Sequence, residues 1–127
     1  MRAINPEGHA LDLEGLRAPD ITVWTVWDEG ALVGCAALKE LDARSAELKS
    51  LRTASSYRRR GVASLLLERM LNVARERGYR SVSFETGSYP FFAPSRALGE
   101  KFGFEYCGPF ADYNEDPNSV FMTKALV

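Results

Sequence analysis

Along the chain, apolar and polar positions first alternate at strand spacing and later recur at helical spacing. Ile21-Thr22-Val23-Trp24-Thr25-Val26-Trp27 is β-branched and aromatic, which predicts a strand. Asp28-Glu29-Gly30 supplies turn chemistry, and Leu32–Lys39 returns as a second strand. Asp42-Ala43-Arg44-Ser45 is a second turn, followed by a third strand from Ala46 to about Thr53. Three strands joined by short turns make an antiparallel meander. The period then changes. From Val62, apolar residues recur at Leu65, Leu66, Met70, Val73 and Ala74, one face of a helix that Gly78 stops. Ser81–Thr86 is a strand reached by a helical crossover, so it should lie parallel to the third strand with a right-handed connection. A second helix is expected from about Pro94 to Phe102, ended by Gly103, and then strands over Phe104–Pro109 and Ser119–Leu126. Met1 to Asp20 is punctuated by Pro6, Gly8 and Pro19, with a short helical pattern around Ala10–Leu16. The expected class is α/β, with a mixed, mostly antiparallel sheet, one parallel strand pair and flanking helices.

The junction between the third strand and the first long helix carries the chemistry. Tyr57-Arg58-Arg59-Arg60-Gly61-Val62-Ala63-Ser64 takes the chain through a basic, glycine-bearing turn straight into a helix. Such a turn points several backbone N–H groups at one spot, at the positive end of the helix dipole. Gly61 lets the backbone approach a ligand closely, and Arg58, Arg59 and Arg60 add full charge. The natural guest is a di- or polyphosphate. No Lys-Ser/Thr follows the glycine, which sets this turn apart from nucleotide-binding phosphate loops.

Composition narrows the function classes. The 127 residues predict a single domain, and 46% hydrophobic content suffices for a core. A formal net charge of -1 excludes a domain-wide positive field for nucleic acid, so the arginine run is a local device. Cys35 and Cys107 have no disulfide framework or metal-ligand spacing, and both read as buried strand thiols. His9 is the only histidine and lies outside any motif, which argues against a Ser-His-Asp or histidine-rich zinc site. The opening residues lack an apolar signal region and no run approaches membrane-spanning length, so the expected setting is cytoplasmic.

Arg58-x-x-Gly61-x-Ala63, following a strand and opening a helix, resembles the pyrophosphate motif of the GCN5-related N-acetyltransferases (GNAT). The strand, helix and Gly103-Phe104 that come next resemble the same family, and the likeness covers Ile21 to Val127. The segments Glu85-Thr86-Gly87, 104–110 and 116–122 look like a branch of small bacterial members with poorly defined acceptors.

The resemblance implies acetyl-CoA as donor and a primary amine of a small molecule as acceptor, joined by direct attack in a ternary complex. Main-chain groups of Leu51, Arg52 and Thr53 would pair with the pantetheine amides. Backbone amides around Arg59 to Ser64, with Gly61, Val62 and Ala63, would hold the pyrophosphate. The fold implies that the two parallel strands splay apart to admit the donor. A backbone N–H near Leu51 would serve the developing oxyanion. Glu85, at the end of its strand, is the expected general base, with Glu47 a weaker candidate. The competing role for Glu85 is an ion pair with Lys49 or Lys39.

Two departures stand out. Family members carry Tyr four residues before the Gly of Gly-Phe, as a proton donor to the leaving thiolate, whereas this chain has Gly99. Tyr89, Tyr106 and Tyr113 are the candidate substitutes, and the helix face at Gly99 is expected to reach the thioester. The alternative function is a coenzyme A-binding regulatory module with little turnover. The resemblance implies a first strand and helix for which Met1 to His9 leave no room, so the sheet is expected to start at Ile21–Trp27. That apolar edge would be covered by a homodimer, or by Met1–Asp20 folding back. The acidic loop Asp112–Asp116 is read as a solvated hairpin loop that borders the acceptor cleft at most.

Overall fold

In the computed structural model, residues 4–5, 20–57 and 61–126 are described. The meander is built as its alternation dictates, from β2 (Ile21–Asp28), β3 (Ala31–Asp42) and β4 (Ser45–Thr53), each antiparallel to the next. β3 outruns its expected length because its pairing with β4 continues to Asp42↔Ser45. Asp42 closes that turn by accepting the Arg44 N–H at 2.7 Å, and this hydrogen bond holds its carboxyl below the usual range. Helix α1 (Val62–Glu76) then crosses over to β5 (Ser81–Gly87), which lies parallel to β4. Helix α2 (Ala93–Lys101) leads to β6 (Glu105–Cys107) and β7 (Ser119–Ala125).

With β1 (Ile4–Asn5), the sheet has seven strands in the order β1-β2-β3-β4-β5-β7-β6. β7 inserts between β5 and β6, antiparallel to both. β6 is therefore an edge strand, shorter than the expected Phe104–Pro109, since Pro109 has no N–H for a ladder. Its Cys107 is half-buried rather than buried, and desolvation still raises the thiol pKa.

The sheet does not begin at Ile21. Ile4 and Asn5 pair with Val26 and Thr25, so an N-terminal strand does precede β2, contrary to the expectation of none. Of the apolar residues that motivated a homodimer, Trp24 and Val26 are buried within this one chain, while Val23 and Trp27 are half-buried. The helical pattern at Ala10–Leu16 lies outside the described residues.

The core lies between one face of the sheet and α1. Val62, Leu66, Leu67, Met70, Leu71 and Ala74 are its buried positions, a face turned slightly from the expected one, with Leu65 only half-buried. They pack with Trp24, Val26, Val33, Leu38, Ala46, Leu48, Val82 and Phe84. Gly34 permits this approach, because a Cβ there would lie 2.5 Å from Val62 Cγ1. α2 lies on the same face, seated by Gly99. A 3-10 turn at Pro90–Phe92 precedes α2, and Gly87 makes room for its Phe92 ring, 2.2 Å from where a Cβ would stand.

Candidate active site

The site starts where the parallel pair fails. β4 and β5 are in register at Ser45↔Ser81, Ala46↔Val82 and Glu47↔Ser83, and there the pairing ends. β4 runs on to Thr53 and β5 to Gly87, so their later halves have parted. The splay expected from the family likeness is present.

A bulge helps to part them. Between Ala37↔Lys49 and Cys35↔Arg52, β4 spends one more residue than β3, and Ser50 takes a left-handed φ of 57°. The extra residue reverses the phase of the strand. Leu48 and Leu51, three apart, both pack toward the core. Beyond the bulge, Ala54 donates its N–H to Val33 O at 2.9 Å. Alternation then turns Arg52 toward β3 as well, and turns the N–H and C=O groups of Leu51 and Thr53 toward the side β5 has vacated. Those are the groups that an amide-bearing chain would need. Arg52 thus lines the loop end of β4 without offering its own main chain to the fork.

The helix start is the second element. Gly61 caps α1 with φ 82° and provides no side-chain hydrogen bond, and the first turn contains no acidic residue. The first N–H groups of the helix are left for a ligand at the positive end of its dipole. Gly61 O accepts the Leu65 N–H, and Ser64 Oγ accepts a hydrogen bond from Lys101 Nζ at 3.2 Å. Val62 faces the core while Ala63 and Ser64 are half-exposed. Arg58, Arg59 and Arg60 lie outside the described residues.

The opposite face of the sheet supplies the charged groups. Alternation that sends Ala46, Leu48, Val82 and Phe84 to α1 sends Glu47, Lys49, Ser83 and Glu85 the other way. There a cleft of about 780 Å³ is lined by Glu47, Lys49, Ser83, Asp112 and Tyr113 among others. Glu47 is only 3% exposed. It accepts the Tyr113 O–H on Oε2 at 2.5 Å, while Lys49 Nζ lies 3.9 Å from Oε1. A buried carboxylate needs such partners. Burial, then the Glu47 hydrogen bond and the charges of Glu47 and Glu85, push the Tyr113 phenol well above its ordinary range. Tyr113 is therefore a fixed donor and a poor proton source. Its ring is held by Phe110 and Phe121, with centroids 5.1 and 5.5 Å away.

Glu85 is half-buried and accepts the Ser119 O–H at 2.9 Å. Of the two lysines expected as its partner, Lys49 or Lys39, Lys49 sits beside Glu47 instead. Of the two carboxylates, the one ranked second as a base, Glu47, is the more deeply buried. The signal available was the position of Glu47 in the parallel register, which no strand pattern reveals until β5 is in place. Asp112 and Tyr113 line the cleft, so part of the acidic loop does border it.

The expectation for Gly99 does not hold. A Cβ there would lie 2.8 Å from Phe84 Cζ and 2.9 Å from Met122 Sδ, so this face of α2 is pressed on the sheet rather than turned to the fork. Of the substitute tyrosines, Tyr89 donates to Asn118 Oδ1 at 2.8 Å and Tyr106 to Glu100 of α2, and both are exposed. Tyr113 is the one that lines the cleft.

Comparison with known proteins gives this geometry a family. The profile of the Acetyltransferase (GNAT) family matches residues 3–104. The uncharacterized N-acetyltransferase YsnE of Bacillus subtilis (strain 168) is 58% identical over 118 residues, covering 93% of this chain and 78% of that protein. The IAA acetyltransferase of Azospirillum brasilense is 37% identical over 119 residues, 93% of this chain and 76% of that one. A GNAT family acetyltransferase from Elizabethkingia anophelis, solved with acetyl-CoA bound, shares the fold with a TM-score of 0.76 over 97% of both chains at 16% identity. The forked strands and the uncapped helix start suit the amides and pyrophosphate of coenzyme A, and the chain belongs to the GNAT family of N-acetyltransferases, with acetyl-CoA as co-substrate.

Proposed function

We propose that the protein transfers an acetyl group from acetyl-CoA to a primary amine of a small molecule, by direct attack in a ternary complex. The observation that carries this reading is the fork after Glu47↔Ser83, with two carboxylates on the sheet face opposite α1. When bound, acetyl-CoA supplies an activated acetyl thioester. The main chain of Leu51 and Thr53 would receive its pantetheine amides, and the Leu51 N–H would polarise the thioester carbonyl. The amides from Gly61 to Ser64, with Arg58, Arg59 and Arg60, would receive the pyrophosphate.

The amine must lose a proton to become a nucleophile. Glu47 is the better placed acceptor, because it sits at the parting of the strands and Tyr113 fixes its orientation. Glu85, held by Ser119 two residues further along β5, is the alternative base. Asp112 adds negative charge at the cleft, which favours entry of a cationic amine. Among the described residues no helix is long and apolar enough to cross a membrane, and Cys35 and Cys107 are free thiols. We place the protein in the cytoplasm, where thiols stay reduced.

Calorimetry with acetyl-CoA, followed by thiol release over a panel of primary amines, tests the proposal. Binding together with release on at least one amine is the expected outcome. Binding without release on any amine would instead support a coenzyme A-binding regulatory module, and absence of binding would end both readings.

A further inference from the structure

Lys49 is one of the residues that line the acceptor cleft. It is on the same strand and the same face as Glu47, and its Nζ is 3.9 Å from Glu47 Oε1. A small rotation of its flexible stem brings it to a hydrogen-bond distance of roughly 2.9 Å. Glu47 already satisfies Oε2 through Tyr113, so Oε1 is the oxygen turned to the amine. Lys49 is also two residues before Leu51, with only the bulged Ser50 between them. An amine, a buried carboxylate to take its proton, and the proposed carbonyl-polarising N–H thus stand together on one stretch of β4. This is the set of groups that acetyl transfer requires of an acceptor.

We propose that Lys49 is an internal acceptor, and that the protein acetylates its own Lys49 when acetyl-CoA is bound and the cleft holds no other amine. The proposal rests on the reading of this face as the acceptor site. In the step, the Lys49 ammonium gives one proton to Glu47 and the freed Nζ lone pair forms a bond to the acetyl carbonyl carbon. The C–S bond breaks, and the second Nζ proton is lost to solvent as the leaving thiolate takes one up. The products are N-acetyl-lysine and coenzyme A, and Glu47 returns its proton to solvent. Acetylation removes the positive charge beside Glu47 and puts an amide in the cleft, so modified protein should bind an external amine more weakly.

Purified protein incubated with acetyl-CoA alone, with peptide mapping by mass spectrometry over time, tests this. Lys101, exposed on α2, serves as an internal clock for uncatalysed acetylation. The expected result is one acetyl group on Lys49, gained about 100-fold faster than on Lys101, the usual contribution of a positioned base. The rate should not change on tenfold dilution of the protein, since the step is intramolecular. Glu47→Gln should slow Lys49 to near the Lys101 rate with acetyl-CoA still bound, and Lys49→Arg should leave no modified peptide there. Acetyl-CoA binding by calorimetry with Lys49 unmodified, modified no faster than Lys101, or modified more slowly on dilution would overturn the inference while leaving the transferase reading intact. Failure to bind acetyl-CoA would overturn both.

Discussion

The two faces of the β4–β5 pair are made from alternate residues of the same strands, yet they obey different physics. On the α1 face, Ala46 and Val82 are essentially inaccessible and Leu48 and Phe84 nearly so, packed on Leu66 and Met70. Their contribution is burial of apolar area, and it depends on volume and shape. One residue along, Glu47, Lys49 and Ser83 line a cleft and Glu85 shares their face of the sheet, where partners rather than volume decide the cost. The pairing register at Glu47↔Ser83 is shared by both faces. A slip of one residue would bury the acids against α1 and present leucine to the acceptor. The packed face is thus what holds the chemical face in phase, and the bulge at Ser50 ends that phase where the donor must enter.

The comparison breaks most visibly at Glu47. Glu47→Gln keeps the shape and the Tyr113 contact but removes the charge and the proton acceptor. Turnover in a thiol-release assay should fall by roughly 100-fold or more, with acetyl-CoA affinity nearly intact. Glu85→Gln made alongside decides which carboxylate is the base. A larger loss at Glu85 than at Glu47 would reverse the assignment and restore the one favoured by sequence.

A substitution on the other face should act through packing alone. Gly99→Tyr would drive a ring into Phe84 and Met122. The expected cost is about 1–3 kcal/mol of stability, as for overpacking of a well-filled core, seen as a drop of several degrees in Tm. No gain in turnover should accompany it. A folded Gly99→Tyr variant with raised turnover would show that this side chain escapes to the fork, and that the packed face is less rigid than its contacts imply.

Why some of this was legible in sequence and some was not follows from where the information lies. β2, β3, β4, α1 and β5 carry their period locally, in residues such as Val23, Trp24 and Val26 or Leu66, Met70 and Ala74, so their existence could be read off. The basic, glycine-bearing turn at Gly61 is equally local. The insertion of β7 between β5 and β6 has no local signature, because it depends on which edge remains after β5 pairs. Ile4–Asn5 was missed because two residues hold no period at all. The Tyr113–Glu47 bond joins residues 66 apart in sequence, through a loop whose aromatic members Phe110 and Tyr113 only find Phe121 once β7 is placed. Gly99 was misread since a family position was taken to fix the direction of a side chain, whereas the seat of α2 on Phe84 and Met122 fixes it here.

At the edge where both faces meet the loop, Gly61→Asp sharpens the assignment of the donor site. Its φ of 82° is uncomfortable for a residue with a Cβ, although aspartate tolerates it better than most. Among the described residues the space is open, with no atom within 4 Å of a Cβ, so folding should survive. A carboxylate aimed at the bare helix start should then repel phosphate. Acetyl-CoA affinity measured by calorimetry should fall by about tenfold, close to 1.4 kcal/mol. Unchanged affinity in a folded variant would remove the pyrophosphate from this turn.

The smallest effect concerns Tyr113 in alkali, and it probes how firmly the loop holds the chemical face. A phenol with its folded pKa raised above the unfolded value near 10 binds its proton more tightly in the native state. The stability this provides is complete below about pH 10 and is lost as pH climbs through the folded pKa. One such group changes stability by at most about 1.4 kcal/mol per pH unit above pH 10. Tyr113→Phe deletes that dependence, so its Tm, taken relative to its own neutral value, should decline less steeply between about pH 10 and pH 11.5 than that of the parent chain. Tyr79, buried and bonded to Glu40 on the other side of the sheet, is raised as well and keeps its own decline in both proteins. Parallel declines would mean that the Tyr113 phenol does not hold Glu47 in solution, and the fixed orientation argued for that carboxylate would go with it.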